Sequence, residues 1–155
     1  MEEHGLKTVA LRIFNAYGPR QPLNAYSGVI THFMDRMRRD EPLVIFGDGS
    51  ITRDFVHVWD VREALLKALT ADDAKGEIVN IGSGKATSIN DLAKTVLDLA
   101  GKNLGIVYEE PKIGDIKASV ADISKAEKLL HFKPSVPLRK GLQTLFDSKE
   151  TESAK

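Results

Sequence analysis

Apolar residues fall into short clusters and helical stripes separated by glycine- and proline-rich connections, which predicts strands leading into helices. Val9, Ala10, Leu11, Ile13 and Phe14 form a run broken only by Arg12, the pattern of a strand covered on both faces. Residues 15–24 carry Gly18, Pro19 and Pro22 and read as a long loop leaving that strand. From about Ser27, the positions Val29, Ile30, Phe33, Met34 and Met37 recur at helical spacing. Arg36, Arg38 and Arg39 crowd the last turn, where the helix dipole favours cations, and Pro42 stops the helix. Residues 43–46 and 54–58 read as a hairpin-like pair of strands flanking Gly47-Asp48-Gly49-Ser50.

Asp60 followed by Glu63 has the spacing of a capping box, and Val61, Ala64, Leu65, Ala68 and Leu69 give the helix it opens one apolar face. Residues 78–81 predict a second buried strand, ending in Gly82-Ser83-Gly84. A helix capped by Ser88, with Asp91 three residues on, carries Ile89, Leu92, Ala93, Val96, Leu97 and Ala100 and ends at Gly101. Residues 109–115 follow Gly105 to Tyr108 as a loop or irregular strand. Asp122 caps a short helix with Ile123, Ala126, Leu129 and Leu130 inward, and Leu138, Leu142, Leu145 and Phe146 mark another. Residues 147–155 hold no large apolar side chain and are expected to fray as a solvated tail.

Composition narrows the function classes. A chain of 155 residues, 42% hydrophobic and 28% charged, suits one folded domain with a core rather than a disordered chain. Its 22 Lys plus Arg balance 22 Asp plus Glu, so no net field attracts nucleic acid or an anionic membrane, and any anion is held by a few placed cations. The absence of cysteine removes disulfides, thiolate metal sites and cysteine nucleophiles. No apolar run approaches the ~20 residues that span a bilayer. The first seven residues lack the basic-then-apolar pattern of a secretory signal, so the expected compartment is the cytoplasm.

Several signals point to chemistry that the residue pattern does not sustain. The loops at Gly47-Asp48-Gly49 and Gly82-Ser83-Gly84 have threonine, at 52 and 87, where a dinucleotide fingerprint needs its third glycine. Gly84-Lys85 resembles part of a phosphate-binding loop, but Ala86 stands where a magnesium-binding hydroxyl is required. Tyr108 and Lys112 have the spacing of a catalytic Tyr-x-x-x-Lys pair, yet Pro111 disfavours the helix that would align them. The four histidines lack ligand spacing, so no metal is expected, and His57, between Val56 and Val58, reads as a hydrogen-bonded structural residue. Asn15, Arg53 and Lys112 remain, each at the edge of an element beside a glycine or proline loop. Arg53 opens an apolar strand, so its stem can pack while its guanidinium forks onto two phosphate oxygens. Asn15 serves equally well as a bond to its own loop backbone.

Four segments are recognisable together: Leu11-Arg-Ile-Phe-Asn-Ala-Tyr-Gly-Pro-Arg-Gln21, Phe46-Gly-Asp-Gly-Ser-Ile-Thr-Arg-Asp-Phe-Val-His-Val58, Val79-Asn-Ile-Gly-Ser83, and Gly114-Asp115 followed by Ala121-Asp-Ile-Ser-Lys125. In this order they resemble the C-terminal half of the extended short-chain dehydrogenases of the NAD-dependent epimerase/dehydratase family. The resemblance runs from Leu6 to about Phe146 and implies an α/β fold: a sugar-nucleotide-binding portion over residues 1–146, with strands that complete a Rossmann sheet whose N-terminal half is absent. It implies a UDP-sugar as ligand and NAD as the cofactor of the whole protein. Phe14 would approach the nicotinamide; Asn15 would bond the ligand near its diphosphate; the backbone of Val29 and Ile30 would line the diphosphate channel. Val44, Ile45 and Phe46 would pass the uracil, Arg53 would clamp phosphate, Asn80 would contact the nucleotide and Asp115 the ribose. Lys112 stands where relatives carry arginine, keeping the charge without the fork. The family's glycine fingerprint and catalytic Tyr-x-x-x-Lys lie upstream of Leu11, so this chain alone is expected to be inactive. Its strands at residues 9–14 and 78–81 are expected to expose apolar faces and self-associate. The activity implied for the whole protein is 4-epimerisation of a nucleotide sugar; the alternatives are a dehydratase or decarboxylase, or a non-catalytic nucleotide-sugar-binding module.

Overall fold

A computed structural model describes residues 7–24 and 26–150. Along the chain, β1 (Ala10–Ile13) and β2 (Asn15–Tyr17) precede α1 (Val29–Arg38), β3 (Leu43–Phe46), β4 (Thr52–Arg53) and β5 (Phe55–His57). Then come α2 (Val58–Thr70), a 3-10 turn (Asp72–Ala74), β6 (Ile78–Ile81), β7 (Thr87–Ser88) and α3 (Ile89–Ala100). The chain continues with β8 (Ile106–Glu109), β9 (Ala118–Ser119), α4 (Ser124–Leu130) and α5 (Leu138–Glu150). Parallel pairs dominate: β1 with β6, β2 with β5, and β3 with β8, while β4 lies between antiparallel β7 and parallel β9. Parallel pairing with helical crossovers is the α/β architecture expected from the sequence.

Two apolar clusters hold these pieces. Phe33 and Met34 of α1, Leu43 and Ile45 of β3, Leu92 and Val96 of α3, and Leu142 of α5 form the first, which fixes α1 against β3. Ala64 of α2, Val79 and Ile81 of β6, Ala126 and Leu130 of α4, and Phe132 form the second. The α3 boundaries follow the local signals: the Ser88 hydroxyl accepts from Asp91 N (3.0 Å) and donates to its carboxylate (2.6 Å), while Gly101 at φ +61° closes the C-terminus.

Six expectations need correction. Residues 15–24 do not begin as a loop: at Phe14 the chain steps from one sheet to another, Phe14 N bonding Ile81 O and Asn15 N bonding Asp54 O, and Asn15–Tyr17 continues as a strand. The hairpin-like pairing of 43–46 with 54–58 is absent, because β3 finds its partner in β8 and β5 finds its partner in β2. Strand β5 is buried throughout and β3 buries Leu43 and Ile45, which parallel neighbours covered by helices accommodate. Helix α2 starts before Asp60: His57 is its cap, its ring nitrogen accepting from Trp59 N, and the Asp60 carboxylate accepts instead from Ser135 N, Ser135 Oγ and Val136 N. Asp122 lies one residue ahead of the α4 cap, Ile123, and accepts from Ser124 N and Oγ. The expected tail is helical through Glu150, and residues 1–6 and 151–155 lie outside the described ones. The strand read as covered on both faces is also open: Ala10, Arg12 and Ile13 are exposed, and Ile78 beside them is 54% exposed.

Candidate functional site

A cavity of about 480 Å³ opens where β2, the start of α1, β3, Arg53 of β4 and the loop after β8 converge. Helix α1 begins at Gly28 with no side-chain cap and no acid in its first turn. Its Val29 and Ile30 line the cavity, so the positive end of the helix and its unpaired first-turn N–H groups sit at the wall.

Strand β3 supplies a second set of backbone groups. Leu43 N bonds Gly105 O (3.2 Å) and Gly47 N bonds Glu109 O (2.8 Å), so the odd-numbered residues point their backbone at β8. The pleat turns the N–H and C=O of Val44 and Phe46 to the opposite edge, which has no strand neighbour among the described residues. Val44, Ile45 and Phe46 all line the cavity.

Arg53 is mostly buried, 16% exposed, and its guanidinium donates to Thr52 O (2.9 Å), Ile116 O (2.6 Å) and the Asp115 carboxylate. Lys112 places its ammonium 4.2 Å from the centre of the Phe46 ring. Asn15 donates its amide to Asp54 O (2.9 Å), and its own N–H goes to the same carbonyl. Tyr17 closes the floor: its hydroxyl donates to Leu138 O (3.3 Å), and burial, aided by the Asp60 charge, pushes its pKa well up. His57 packs edge-on against Tyr17, accepts from Trp59 N at Nδ1, and faces Thr144 Oγ1 (3.2 Å) with Nε2. Thr144 spends its hydroxyl hydrogen on Gly141 O (2.7 Å), which assigns the proton to Nε2 and leaves the ring neutral. Burial lowers the His57 pKa despite the opposing pull of Asp60. His57 is thus a hydrogen-bonded structural residue, as its sequence context indicates.

Nine residues singled out in the sequence, Asn15, Val29, Ile30, Val44, Ile45, Phe46, Arg53, Lys112 and Asp115, line this one cavity. Phe14 stands outside its lining, at the step between β1 and β2, and Asn80 stands apart on β6, donating to Asp122 O (3.3 Å). Gln21, Ser27, His32, Arg36 and Glu109 also line the cavity and were not anticipated. His32 and Arg36 share one face of α1 at a spacing of four residues, and Arg36 is held by Pro42 O (2.6 Å) at the foot of β3. Their signal in the sequence was that spacing, masked by the reading of Arg36 as a dipole partner.

The glycine loops are occupied by the protein itself. Asp54 fills the Gly82–Gly84 turn, accepting from Ser83 N (2.7 Å) and Gly84 N (2.9 Å), and Asn90 braces the Gly47–Gly49 turn through Asp48 O (2.9 Å). Neither loop offers a cradle for a dinucleotide pyrophosphate. Tyr108 donates to Asn90 Oδ1 (2.9 Å) from a strand, while Lys112 sits on Phe46, so the Tyr-x-x-x-Lys spacing brings no catalytic pair together. Among the described residues no cluster of His, Asp and Glu could hold a metal, and no helix is long and apolar enough to cross a membrane.

Parallel α/β pairs closing a cavity with a helix N-terminus and placed cations define part of an extended short-chain dehydrogenase fold. The model of the NAD dependent epimerase/dehydratase family matches residues 1–82, and the chain belongs to that family. The crystal structure of a Thermotoga maritima UDP-glucose 4-epimerase with UDP-glucose superposes with a TM-score of 0.91 at 38% identity, covering 97% of this chain and 48% of that one. A Bacillus cereus UDP-glucuronic acid 4-epimerase, solved with UDP-glucuronic acid and NAD, gives 0.84 at 35% identity over 93% of this chain and 45% of its own. UDP-glucuronic acid decarboxylase 5 of Arabidopsis thaliana is 34% identical over 141 residues, 90% of this chain and 40% of the plant protein. The chain therefore spans less than half the length of the relatives it matches.

Proposed function

We propose that this chain is the substrate-binding part of an NAD-dependent nucleotide-sugar epimerase and that the cavity holds the nucleoside diphosphate of a UDP-sugar. The observation that carries this reading is the meeting, in one cavity, of an open strand edge, an uncapped helix N-terminus and two cations at its rim. On the open edge of β3, the Val44 carbonyl and the Phe46 N–H offer an acceptor and a donor two residues apart. Uracil carries N3–H beside a carbonyl oxygen and complements that order, whereas cytosine presents an acceptor at N3 beside an amino group and opposes it. The α1 N-terminus, Arg53, Lys112 and Asn15 then take the diphosphate, with Arg53 sharing its fork between phosphate and Asp115. The hexose, beyond these contacts, stays free to turn.

Calorimetric titration tests this with UDP, CDP, UDP-glucose and NAD. UDP and UDP-glucose are expected to bind similarly and CDP roughly 5- to 150-fold more weakly, since one reversed hydrogen-bond pair costs about 1–3 kcal/mol. Tight NAD binding without UDP binding would overturn the assignment. A decarboxylase or dehydratase part is the second reading, favoured by the identity to plant decarboxylases. The cavity groups that hold nucleotide serve either reaction.

A further inference from the structure

Asp54 is fully buried, and among the described residues no cation touches its carboxylate. Four neutral donors satisfy it: Ser83 N (2.7 Å) and Ser83 Oγ (2.6 Å) on one oxygen, Gly84 N (2.9 Å) and Ala121 N (3.1 Å) on the other. The fit leaves no slack, because a Cβ on Gly82 would stand 2.6 Å from Asp54 Oδ2. The backbone of the same residue is equally committed, its N–H to Ser119 O (2.9 Å) and its C=O to both the main chain and the side chain of Asn15. The segment tied to Asp54, from β9 to Ala121, follows directly on Asp115 and Ile116, two of the three acceptors of the Arg53 guanidinium.

We infer that Asp54 is the positioning residue of the diphosphate site, fixing Asn15 from one side and the Arg53–Asp115 fork from the other while touching no ligand itself. This rests on the proposed nucleotide site. The chemistry requires a carboxylate here: an isosteric amide turns one of the two acceptor oxygens into a donor that faces Ser83 or the Gly84 and Ala121 amides. A buried donor facing donors drives apart the segments it joined, and the segment from 110 to 121 takes the Asp115 and Ile116 acceptors of Arg53 with it. The β3 edge, with no bond to Asp54, keeps its place.

That separation makes the role measurable. The full 155-residue chain and its Asp54→Asn and Ser83→Ala variants are titrated with uridine and with UDP by NMR, at a temperature where circular dichroism shows each folded. Asp54→Asn is expected to weaken UDP about tenfold, the scale of one lost charge-assisted contact, and to leave uridine unchanged. Ser83→Ala, which removes one donor and keeps the acceptors, should lie between. Amide exchange read without ligand gives an independent measure. Asn15, Ser83, Gly84 and Ala121 should exchange faster in Asp54→Asn, with Leu92 and Val96 of α3 as before. Equal weakening of uridine and UDP, or faster exchange spread through α3, would show a general folding role and overturn the positioning role. Unchanged UDP affinity and unchanged exchange would overturn it as well. If the parent chain binds neither uridine nor UDP, the nucleotide reading fails and this inference fails with it, whereas binding by the parent with uniform loss in the variant removes this inference alone.

Discussion

Replacing Gly141 by alanine tests whether the cavity floor is packed as described. Gly141 lies within α5, where alanine is favoured over glycine by about 1 kcal/mol on helix propensity alone. At an exposed helical position the change would therefore stabilise. Here the new methyl would be built into the Tyr17 hydroxyl and stand 2.9 Å from both Tyr17 Cζ and His57 Cδ2. Neither ring can yield cheaply, because Tyr17 is bonded to Leu138 O and His57 is fixed at both nitrogens. Overpacking of this kind costs about 1–3 kcal/mol, and driving the hydroxyl off its carbonyl adds about 1–3 kcal/mol for a buried unsatisfied donor. Net of the propensity gain, the loss is about 3 kcal/mol, or roughly 6–12 °C in Tm for a chain of this size. Urea unfolding should show a lower midpoint at constant slope. In a Tyr17→Phe background, with the hydroxyl gone, the penalty of the alanine should shrink by about 1 kcal/mol, a coupling expected only of groups in contact. Gly141→Ala at or above parental stability, or additivity of the two changes, refutes the packing argument.

Two further outcomes follow. His57 is held neutral, with its folded pKa below its unfolded value of about 6.5. Its contribution is therefore complete above the unfolded value and lost as pH falls through the lower folded one. Urea midpoints between about pH 5 and 8 should fall on the acid side, and more steeply for the parent than for His57→Gln; identical slopes would contradict a buried neutral ring. The outer edge of β1 has no partner among the described residues, and Ile13 and Ile78 are exposed beside it, so concentrated protein should self-associate. Light scattering should show mass rising with concentration, less so for Ile78→Lys, and a monomer with residues 10–13 strongly protected from hydrogen exchange would sink this reading.

What the sequence revealed depended on the range of each signal. Helix α3 is bounded by local chemistry, the Ser88–Asp91 exchange and the left-handed Gly101, and both boundaries were readable. Strand β2 carries Asn15-Ala16-Tyr17, with no apolar alternation, and exists because β5 lies alongside it; no local pattern encodes that. The partner of β3 lies some sixty residues away in β8, and the nearer run at 54–58 seemed the natural mate until the β2–β5 pair claimed it. Asp60 showed capping-box spacing, yet its carboxylate reaches Ser135 and Val136, a tertiary use that overrides the local one. Among the site residues, Arg53 and Lys112 were visible as cations beside loops, whereas Arg36 was hidden because its place among the last-turn arginines already accounted for it.

Two buried carboxylates, Asp54 and Asp60, stand at the two ends of the short β5 region, and each is satisfied by neutral donors from a distant loop rather than by a cation. A buried ion pair would have required Arg53 or a neighbour as its partner, and removing either member would leave an uncompensated charge. With main-chain N–H groups and serine hydroxyls as counter-groups, neither carboxylate draws on Arg53, which rests on Thr52 O, Ile116 O and Asp115, or on Lys112, which sits over the Phe46 ring. In the proposed complex, the Asp115 contact and the Phe46 ring are the holds that a diphosphate, offering several anionic oxygens, would displace. The acids thus secure the architecture, and in the proposed complex the bases are left for the ligand.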